Sequence, residues 1–217
     1  MRRIQVTVGP LTAASANNIA TAQTISGASA VAINGALASG GVATLDNPRR
    51  VLITSVGNDS GITFTVTGIT FALAPVSETV TGTNASAVAT NTDFAKVTSI
   101  VTSGSTAANI TVGTNGVAGS QWVFLDQWSI PYTAIQCNVT GTVNYTVQQT
   151  LDDPNSATYP VTIPNVTWVN SNDPNVVAAT TTQQTNYIFP PMFARVLLNS
   201  GTGSVTSSFN QAGVTNT

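Results

Sequence analysis

Histidine is absent from the 217 residues of this chain, and cysteine occurs once. The absence of histidine excludes acid–base and nucleophilic catalysis that depends on an imidazole. With Cys137 alone, no disulfide can form within the chain, and no histidine is present to activate the thiol. Because Cys137 alternates with Ile135 and Val139, we expect it to be a small core residue.

Charge is the second thing the sequence has little of. Only 6% of the residues are Asp, Glu, Lys or Arg, against roughly 25% in an ordinary soluble domain, and the net charge is −2. This balance gives no electrostatic reason to expect nucleic-acid binding. A surface of Thr, Ser, Asn, Ala and Gly offers little like-charge repulsion, so we expect the protein to be packed against neighbours in an assembly.

Long hydrophobic runs are also missing. No window approaches the length of a membrane span, although 42% of the residues are hydrophobic and a buried core is therefore expected. The N-terminal Arg2 and Arg3 are not followed by an apolar run of signal-peptide length. We therefore expect synthesis in the cytoplasm and no association with a membrane.

The residues that are present alternate in the manner of β-strands, most clearly over residues 49–68. Apolar side chains at Val51 and Ile53, and again at Phe64 and Val66, fall on one face. Between these runs lies Gly-Asn-Asp-Ser-Gly at 57–61, whose residues favour turns. The pattern predicts a β-hairpin.

Three further hairpins are predicted around short Gly-containing turns. They pair 97–102 with 109–113, 134–140 with 143–150, and 194–199 with 204–210. Many short strands separated by turns indicate an all-β fold, an antiparallel β-sandwich or barrel.

A composition change divides the chain into two predicted β domains, 1–117 and 118–217. Every tryptophan and every tyrosine lies beyond residue 120, so the C-terminal domain carries the bulky core. The Ala- and Gly-rich segment 11–41 has two open interpretations: short strands at 21–25 and 30–33, or an extended arm that orders against a neighbouring copy.

Acidic residues provide the only candidates for catalysis or metal binding. Asp126, Asp152, Asp153 and Asp173 could in principle act in glycoside hydrolysis, and the Asp- and Asn-rich turns could hold calcium. Asp152, Asp153 and Asp173 lie in Asp-Pro-Asn turns, where Asp binds backbone groups. The favoured interpretation is that the chain is not an enzyme and needs no metal or cofactor.

The basic residues and two tryptophans are the candidate interface residues. Arginine pairs suit bidentate contacts with carboxylates of a partner, and the alternative is that they cap strand ends in solvent. For the tryptophans, core packing is the default and an interface anchor is the alternative. The candidates are Arg2, Arg3, Arg49, Arg50, Trp122 and Trp128.

Several phrases together resemble a known group of proteins. They are RRVLITSVGNDSGITFTVTG at 49–68 with its Leu-Asp-x-Pro-Arg-Arg lead-in, SETVTG at 77–82, NITVGTNG at 109–116, GTVNYTVQQTLDDP at 141–154 and RVLLNSGTGSVT at 195–206. The pattern resembles small virion proteins encoded near the major capsid gene of tailed double-stranded-DNA bacteriophages. No catalytic residues come with this resemblance, and Arg49 and Arg50 are the only positions to which it suggests a contact role.

The resemblance implies a capsid decoration (cement) protein on the capsid exterior. Its expected partners are the major capsid protein and copies of itself, as a dimer or trimer, assembled in the host cytoplasm. Two alternatives remain open: a tail, neck or fibre-base component of the virion, and a carbohydrate-binding adhesin module.

Overall fold

The computed structural model describes residues 2–127 and 132–211, and this part of the chain is almost entirely β-strand. Its helical elements are two single turns of 3-10 helix, Ile163–Asn165 and Pro174–Val176. The predicted all-β, antiparallel architecture with packed sheets is confirmed. The strands are β1 (Arg2–Val8), β2 (Ser15–Gln23), β3 (Ala38–Ser39), β4 (Val42–Ser55), β5 (Thr63–Ile69), β6 (Pro75–Thr81), β7 (Ala87–Thr102), β8 (Ile110–Gly119), β9 (Val123–Phe124), β10 (Thr133–Thr140), β11 (Val143–Thr150), β12 (Val169–Asn170), β13 (Gln183–Tyr187), β14 (Phe193–Gly201) and β15 (Ser204–Gln211).

The chain forms two compact units. The N-terminal unit is Thr12–Asn115, and the C-terminal unit combines Met1–Leu11 with Gly116–Thr217. The division falls within β8, two residues before the predicted boundary. Strand β1, which the composition assigned to the first domain, belongs to the C-terminal unit because it pairs with β15 along its whole length.

The C-terminal unit is a β-sandwich. One sheet has the order β1-β15-β10-β13, and the other is built on β12-β11-β14, with β9 and the end of β8 also paired to β14. Alternating residues from both sheets fill the space between them. Tyr145, Cys137 and Phe209 are among the buried residues of this core, so Cys137 is the small core residue that its alternation predicted.

The N-terminal unit is built around the strand order β4-β7-β5-β6. Its core is formed mainly of Val, Ile and Phe side chains, among them Phe64, Phe94 and Ile100, which solvent does not reach. Strand β2 pairs with the first part of β8, and β3 pairs with the start of β4. The alternation of Phe64 and Val66 with Thr63 and Thr65 is as predicted, with the threonines on the outer face.

Side chains stabilise a bulge in β7. The register of β4 with β7 shifts so that Thr90, Asn91 and Thr92 together oppose Val51. The hydroxyl of Thr90 accepts the Val51 N–H at 3.0 Å and donates to the Thr92 carbonyl at 2.9 Å. The carboxylate of Glu78, from β6, accepts the N–H groups of Asn91 and Thr92 at 2.7 and 2.8 Å. The bulged backbone therefore has partners although its ladder is interrupted.

The predicted hairpins were wrong as pairings, although their strands exist. In the described chain β4 pairs with β7 rather than β5, and β8 pairs with β2 rather than β7. Strands β10 and β11, and likewise β14 and β15, lie in opposite sheets of the sandwich. Each of the last two turns therefore carries the chain from one sheet to the other. A tight turn can connect two strands of one sheet or two strands of opposite sheets. Burial of the inner faces of both sheets favours the second arrangement here.

Glycines let these two turns pack on each other. Gly203 donates its N–H to the Thr142 carbonyl at 2.9 Å. Gly201 has φ of 114°, in a region that side chains rarely adopt, and a Cβ there would collide with the Thr142 carbonyl oxygen.

Segment 11–41 contains one longer strand, β2, and irregular chain that packs within the N-terminal unit. Ile25 and Val31 are buried, and Val31 donates its N–H to the Ile100 carbonyl at 2.9 Å. The predicted strand pair is not formed, and the segment does not project as a free arm, because its aliphatic side chains have a core to enter within the same chain.

Candidate functional site

The first candidate residue, Arg49, is completely buried in the N-terminal unit. Its Nη1 donates to the Thr12 carbonyl at 3.0 Å and approaches the Asp46 carboxylate at 3.3 Å, and its Nη2 donates to the Asn115 carbonyl. Thr12 and Asn115 are the first and last residues of this unit. The prediction that Arg49 contacts a partner protein is therefore replaced: its guanidinium joins the two ends of its own unit.

The Asp46 carboxylate is the anionic part of this network. It accepts the Thr12 N–H at 2.6 Å and the Thr12 hydroxyl at 2.9 Å. Burial alone would raise the pKa of Asp46, but the Thr12 donors, the Arg49 guanidinium and the Asn47 N–H outweigh it and lower the pKa below its ordinary value. Asp46 is therefore a charged structural group.

The other charges of this unit are also engaged internally. Arg50 is partly exposed and lies 3.9 Å from the buried Asp93 carboxylate. Asp59 is buried and accepts the Ala107 N–H at 2.7 Å. Glu78 is also buried and accepts backbone N–H groups of the β7 bulge. All residues of this unit are described, and Asp46 and Lys96 are the charged residues among them that are exposed. Folding thus removes most of an already small number of charges from this surface.

What remains outside on one side of the N-terminal unit is an array of hydroxyl groups, which we call the hydroxyl face. Cross-strand pairs on β5 and β6 bind each other, Thr65 to Thr79 at 2.9 Å and Thr67 to Ser77 at 3.1 Å. Phe64 on β5 points the other way, into the core. The hydroxyl face consists of Thr63, Thr65, Thr67, Ser77, Thr79 and Thr81.

The four-stranded sheet of the C-terminal unit presents a similar surface, which we call the polar face. Its residues face outward in register across β1, β15, β10 and β13. Arg3 is exposed here and donates to the Ser208 hydroxyl at 3.2 Å, so it remains an available contact residue. The side chain of Arg2 and the whole of Trp128 lie outside what the structure describes. The polar face consists of Arg3, Gln5, Gln136, Gln184, Ser208 and Asn210.

Trp122 belongs to an aromatic cluster in the C-terminal unit. Its ring meets that of Trp168 edge to face at 4.9 Å and that of Phe193 at 5.9 Å, and Phe124 lies 5.6 Å from Phe193. The Arg195 guanidinium lies over the Trp168 ring at 4.2 Å. Trp168 thereby attaches the long segment that follows β11 to the sheet. Of these residues the sequence analysis identified only Trp122 as a candidate, because no spacing rule links positions 122, 168 and 193.

Within the described residues, no chemical site accompanies these surfaces. No group of three Cys, Asp or Glu side chains is placed to hold a metal ion. The Asp173 carboxylate accepts the Asn175 N–H at 3.0 Å, the bond expected of a turn residue. Burial raises the pKa of the Cys137 thiol, which keeps it neutral despite hydrogen bonds from Ser207 and Tyr145.

The helical segments of residues 2–127 and 132–211 lack the length and apolarity needed to cross a membrane. Comparisons of the chain with protein-family models, curated proteins and solved structures found no match.

Proposed function

We propose that this protein is a structural component of a bacteriophage virion, most specifically a head decoration protein. In this proposal it binds the outer surface of the capsid and bridges neighbouring major capsid protein subunits. The observation that carries the proposal is the sparsely charged outer surface: Arg49, Asp59 and Glu78 are used internally, while hydroxyl and amide groups face outward. Such a surface suits repeated contact with protein neighbours rather than a dilute, freely diffusing existence.

The mechanism is non-covalent bridging. A specific protein interface buries about 1,200–2,000 Å² in total. When one molecule contacts two capsid subunits, the second contact forms at a high effective concentration, so moderate individual affinities give a stable attachment. Repetition over a shell then resists the separation of neighbouring subunits. No catalytic group is required, in agreement with the resemblance described above.

The aromatic cluster does not favour the carbohydrate-binding alternative. A sugar ring stacks on an open, flat aromatic face, whereas Trp122 and Trp168 meet edge to face at an interplanar angle of 74°. The Arg195 guanidinium also covers one face of Trp168. The cluster is better explained as packing of the segment after β11.

The test is addition of the purified protein to empty heads of the encoding phage that lack it. We expect saturable co-sedimentation with many copies per head, and DNA-filled heads carrying the protein should retain DNA at higher temperature than heads without it. Absence of binding to such heads would overturn the proposal. Electron microscopy of labelled virions provides the second readout, since label confined to the tail would reject a head decoration role.

A further inference from the structure

The turn between β5 and β6 carries two large apolar side chains into solvent. We call Phe71, Ala72 and Leu73 the apolar tip; Phe71 is 50% exposed and Leu73 is 74% exposed. Two backbone hydrogen bonds of 3.0 Å close the loop: the Thr70 N–H donates to the Ala74 carbonyl, and the Leu73 N–H donates to the Thr70 carbonyl. The loop therefore holds its side chains in defined positions.

The backbone of Leu73 is in a conformation that leucine rarely adopts. Its φ is 61°, in the left-handed region. A three-residue hairpin loop commonly ends on a left-handed residue, and glycine usually fills that place because it has no Cβ. Within the described part of the chain, the other two non-glycine residues with positive φ are alanines, Ala85 and Ala178.

Nothing inside the chain compensates for this strain. Because Leu73 is about three-quarters exposed, it gains little from burial in its own unit. A glycine would close the same loop without a steric cost. Strained positions of this kind cluster where a protein uses them for binding or catalysis.

One positive charge lies beside the apolar tip. Lys96 on β7 pairs with Ile69, the last residue of β5 before the loop. Lys96 is exposed, and among residues 2–127 and 132–211 it forms no ion pair. The sequence has no charged residue between Asp59 and Glu78, and both of these are buried. A partner that covers the tip thus meets apolar side chains next to a single cation.

The surface next to the apolar tip is polar and neutral. The hydroxyl face lies on the same two strands, β5 and β6, and leads directly to the tip. Apolar anchors with a polar rim around them are typical of protein–protein interfaces, in which a few buried side chains supply most of the binding energy.

We propose that the apolar tip inserts into an apolar pocket of the major capsid protein, with an acidic side chain of that protein beside Lys96. Protein surfaces that bind tightly pack closely, so a pocket rewards an anchor held in one position. A fluid lipid bilayer accepts an apolar side chain in many orientations and gains nothing from a strained, fixed loop. The inference rests on the proposed function for the identity of the partner.

The first test compares co-sedimentation of the full-length variants F71S and L73N with empty heads. Asparagine is close to leucine in size and tolerates the left-handed region. We expect both variants to bind at least about tenfold more weakly than the wild type, the scale of losing an apolar anchor. The urea midpoint of L73N should be unchanged or higher, because the strain is relieved. Circular dichroism verifies that each variant is folded.

V56S is the matched control for these variants. Val56 is 66% exposed and belongs to the same unit. It lies at the other end of the β5–β6 hairpin, where the neighbouring Gly57 carbonyl accepts the Ala85 N–H after β6. V56S should bind heads as the wild type does.

The charge beside the tip is tested with K96E and K96Q at low salt. K96E should bind heads about two- to fivefold more weakly than K96Q, the scale of an exposed ion pair, because it replaces attraction to the acidic side chain by repulsion. Equal binding of the two variants would overturn the acidic group in the proposed pocket.

The second test identifies the partner by photocrosslinking. Cys137 is buried and is the only native cysteine, so in A72C the new thiol takes up a benzophenone maleimide selectively. On heads, irradiation should join the label at residue 72 to the major capsid protein, and a label on V56C should not be joined to it. A crosslink at residue 72 only to another copy of this chain would overturn the inference.

The remaining outcomes separate this inference from the proposed function. F71S and L73N variants that bind heads as tightly as the wild type would overturn the role of the tip and leave the decoration role intact. A wild type that does not bind heads would overturn both. Flotation of the wild type with phosphatidylglycerol vesicles, lost in F71S and L73N, would assign the tip to a lipid surface and overturn the pocket.

Discussion

A single side chain, Arg49, holds the first and last residues of the N-terminal unit. Its guanidinium binds the carbonyls of Thr12 and Asn115 and lies beside Asp46, in a site that solvent does not reach. Arginine suits this task because its planar group donates in several fixed directions at once. The same property made it a reasonable candidate for an interface, and only burial distinguishes the two roles.

The Arg49→Ala substitution should therefore destabilise the protein by about 3–5 kcal/mol, because it leaves buried acceptors and a carboxylate without their partner. Arg3→Ala is the control, since Arg3 is exposed, and it should change stability by at most about 0.5 kcal/mol. Urea unfolding followed by far-ultraviolet circular dichroism measures both. Equal stabilities of the two variants would contradict the role given to Arg49.

The lowered pKa of Asp46 predicts a dependence of stability on acid. Because the pKa is lower in the folded state, the charged form contributes stability above the unfolded-state pKa of about 3.9, and this contribution is lost as the pH falls through the folded-state value. Asp46→Asn should therefore reduce the loss of unfolding free energy below about pH 4. Urea unfolding at a series of pH values tests this, and an unchanged acid dependence in the variant would contradict it.

At the scale of elements, the bulge in β7 depends on side chains from outside its own ladder. Thr90 both accepts from Val51 and donates to Thr92, and Glu78 reaches from β6 to accept two further N–H groups. Glu78 is the only glutamate of the chain and is buried, which fits a structural acceptor of backbone N–H groups. A buried bulge without such acceptors would leave polar backbone groups unpaired.

Thr90→Val keeps the shape of the side chain but removes both hydrogen bonds, and should cost about 1–3 kcal/mol. Thr98→Val on the same strand is the control, because Thr98 is exposed and its hydroxyl makes one bond, to the Thr67 carbonyl. Hydrogen exchange of the Val51 amide should accelerate in Thr90→Val only. Identical exchange in both variants would show that the hydroxyl of Thr90 is dispensable for the bulge.

At the scale of the whole molecule, the outward surfaces differ from those of most proteins in carrying so little charge. The hydroxyl face has no charged member and the polar face has only Arg3, while Asp46 and Lys96 are the exposed charged residues of the N-terminal unit. Contacts made through such surfaces depend on shape, apolar burial and neutral hydrogen bonds. Added salt should therefore change the strength of these contacts little, because salt screens interactions between charges.

Binding to empty heads should accordingly change by no more than about twofold between low salt and 1 M salt, where the Debye length falls to about 3 Å. Co-sedimentation at the two salt concentrations measures this. A steep decrease in binding with salt would indicate a charged interface and contradict the account of the surface.

Strand positions and their buried faces were predictable because they depend on local alternation. The alternation of Phe64 and Val66 with Thr63 and Thr65 is an example. Pairing was not predictable from the same signals. The turn before β11 satisfies every local requirement of a hairpin, yet β10 and β11 enter different sheets.

The candidate interaction surfaces were likewise predictable from the sequence only in part. The scarcity of charged residues was visible in the composition. The alternation of threonine with apolar residues was visible in the order of the sequence. The aromatic cluster was not predictable, because Trp122 and Trp168 lie far apart in the sequence and meet only in the folded structure.

The sequence by itself determined that this chain is an antiparallel β protein with a nearly uncharged exterior, because residue type and two-residue periodicity act over a few neighbours. The tertiary structure decided which strands pair, that Arg49 lies inside while Arg3 stays outside, and that Trp122 and Trp168 meet in one cluster. Those choices depend on the simultaneous burial of two sheet faces, a condition that residues far apart in the chain must satisfy together.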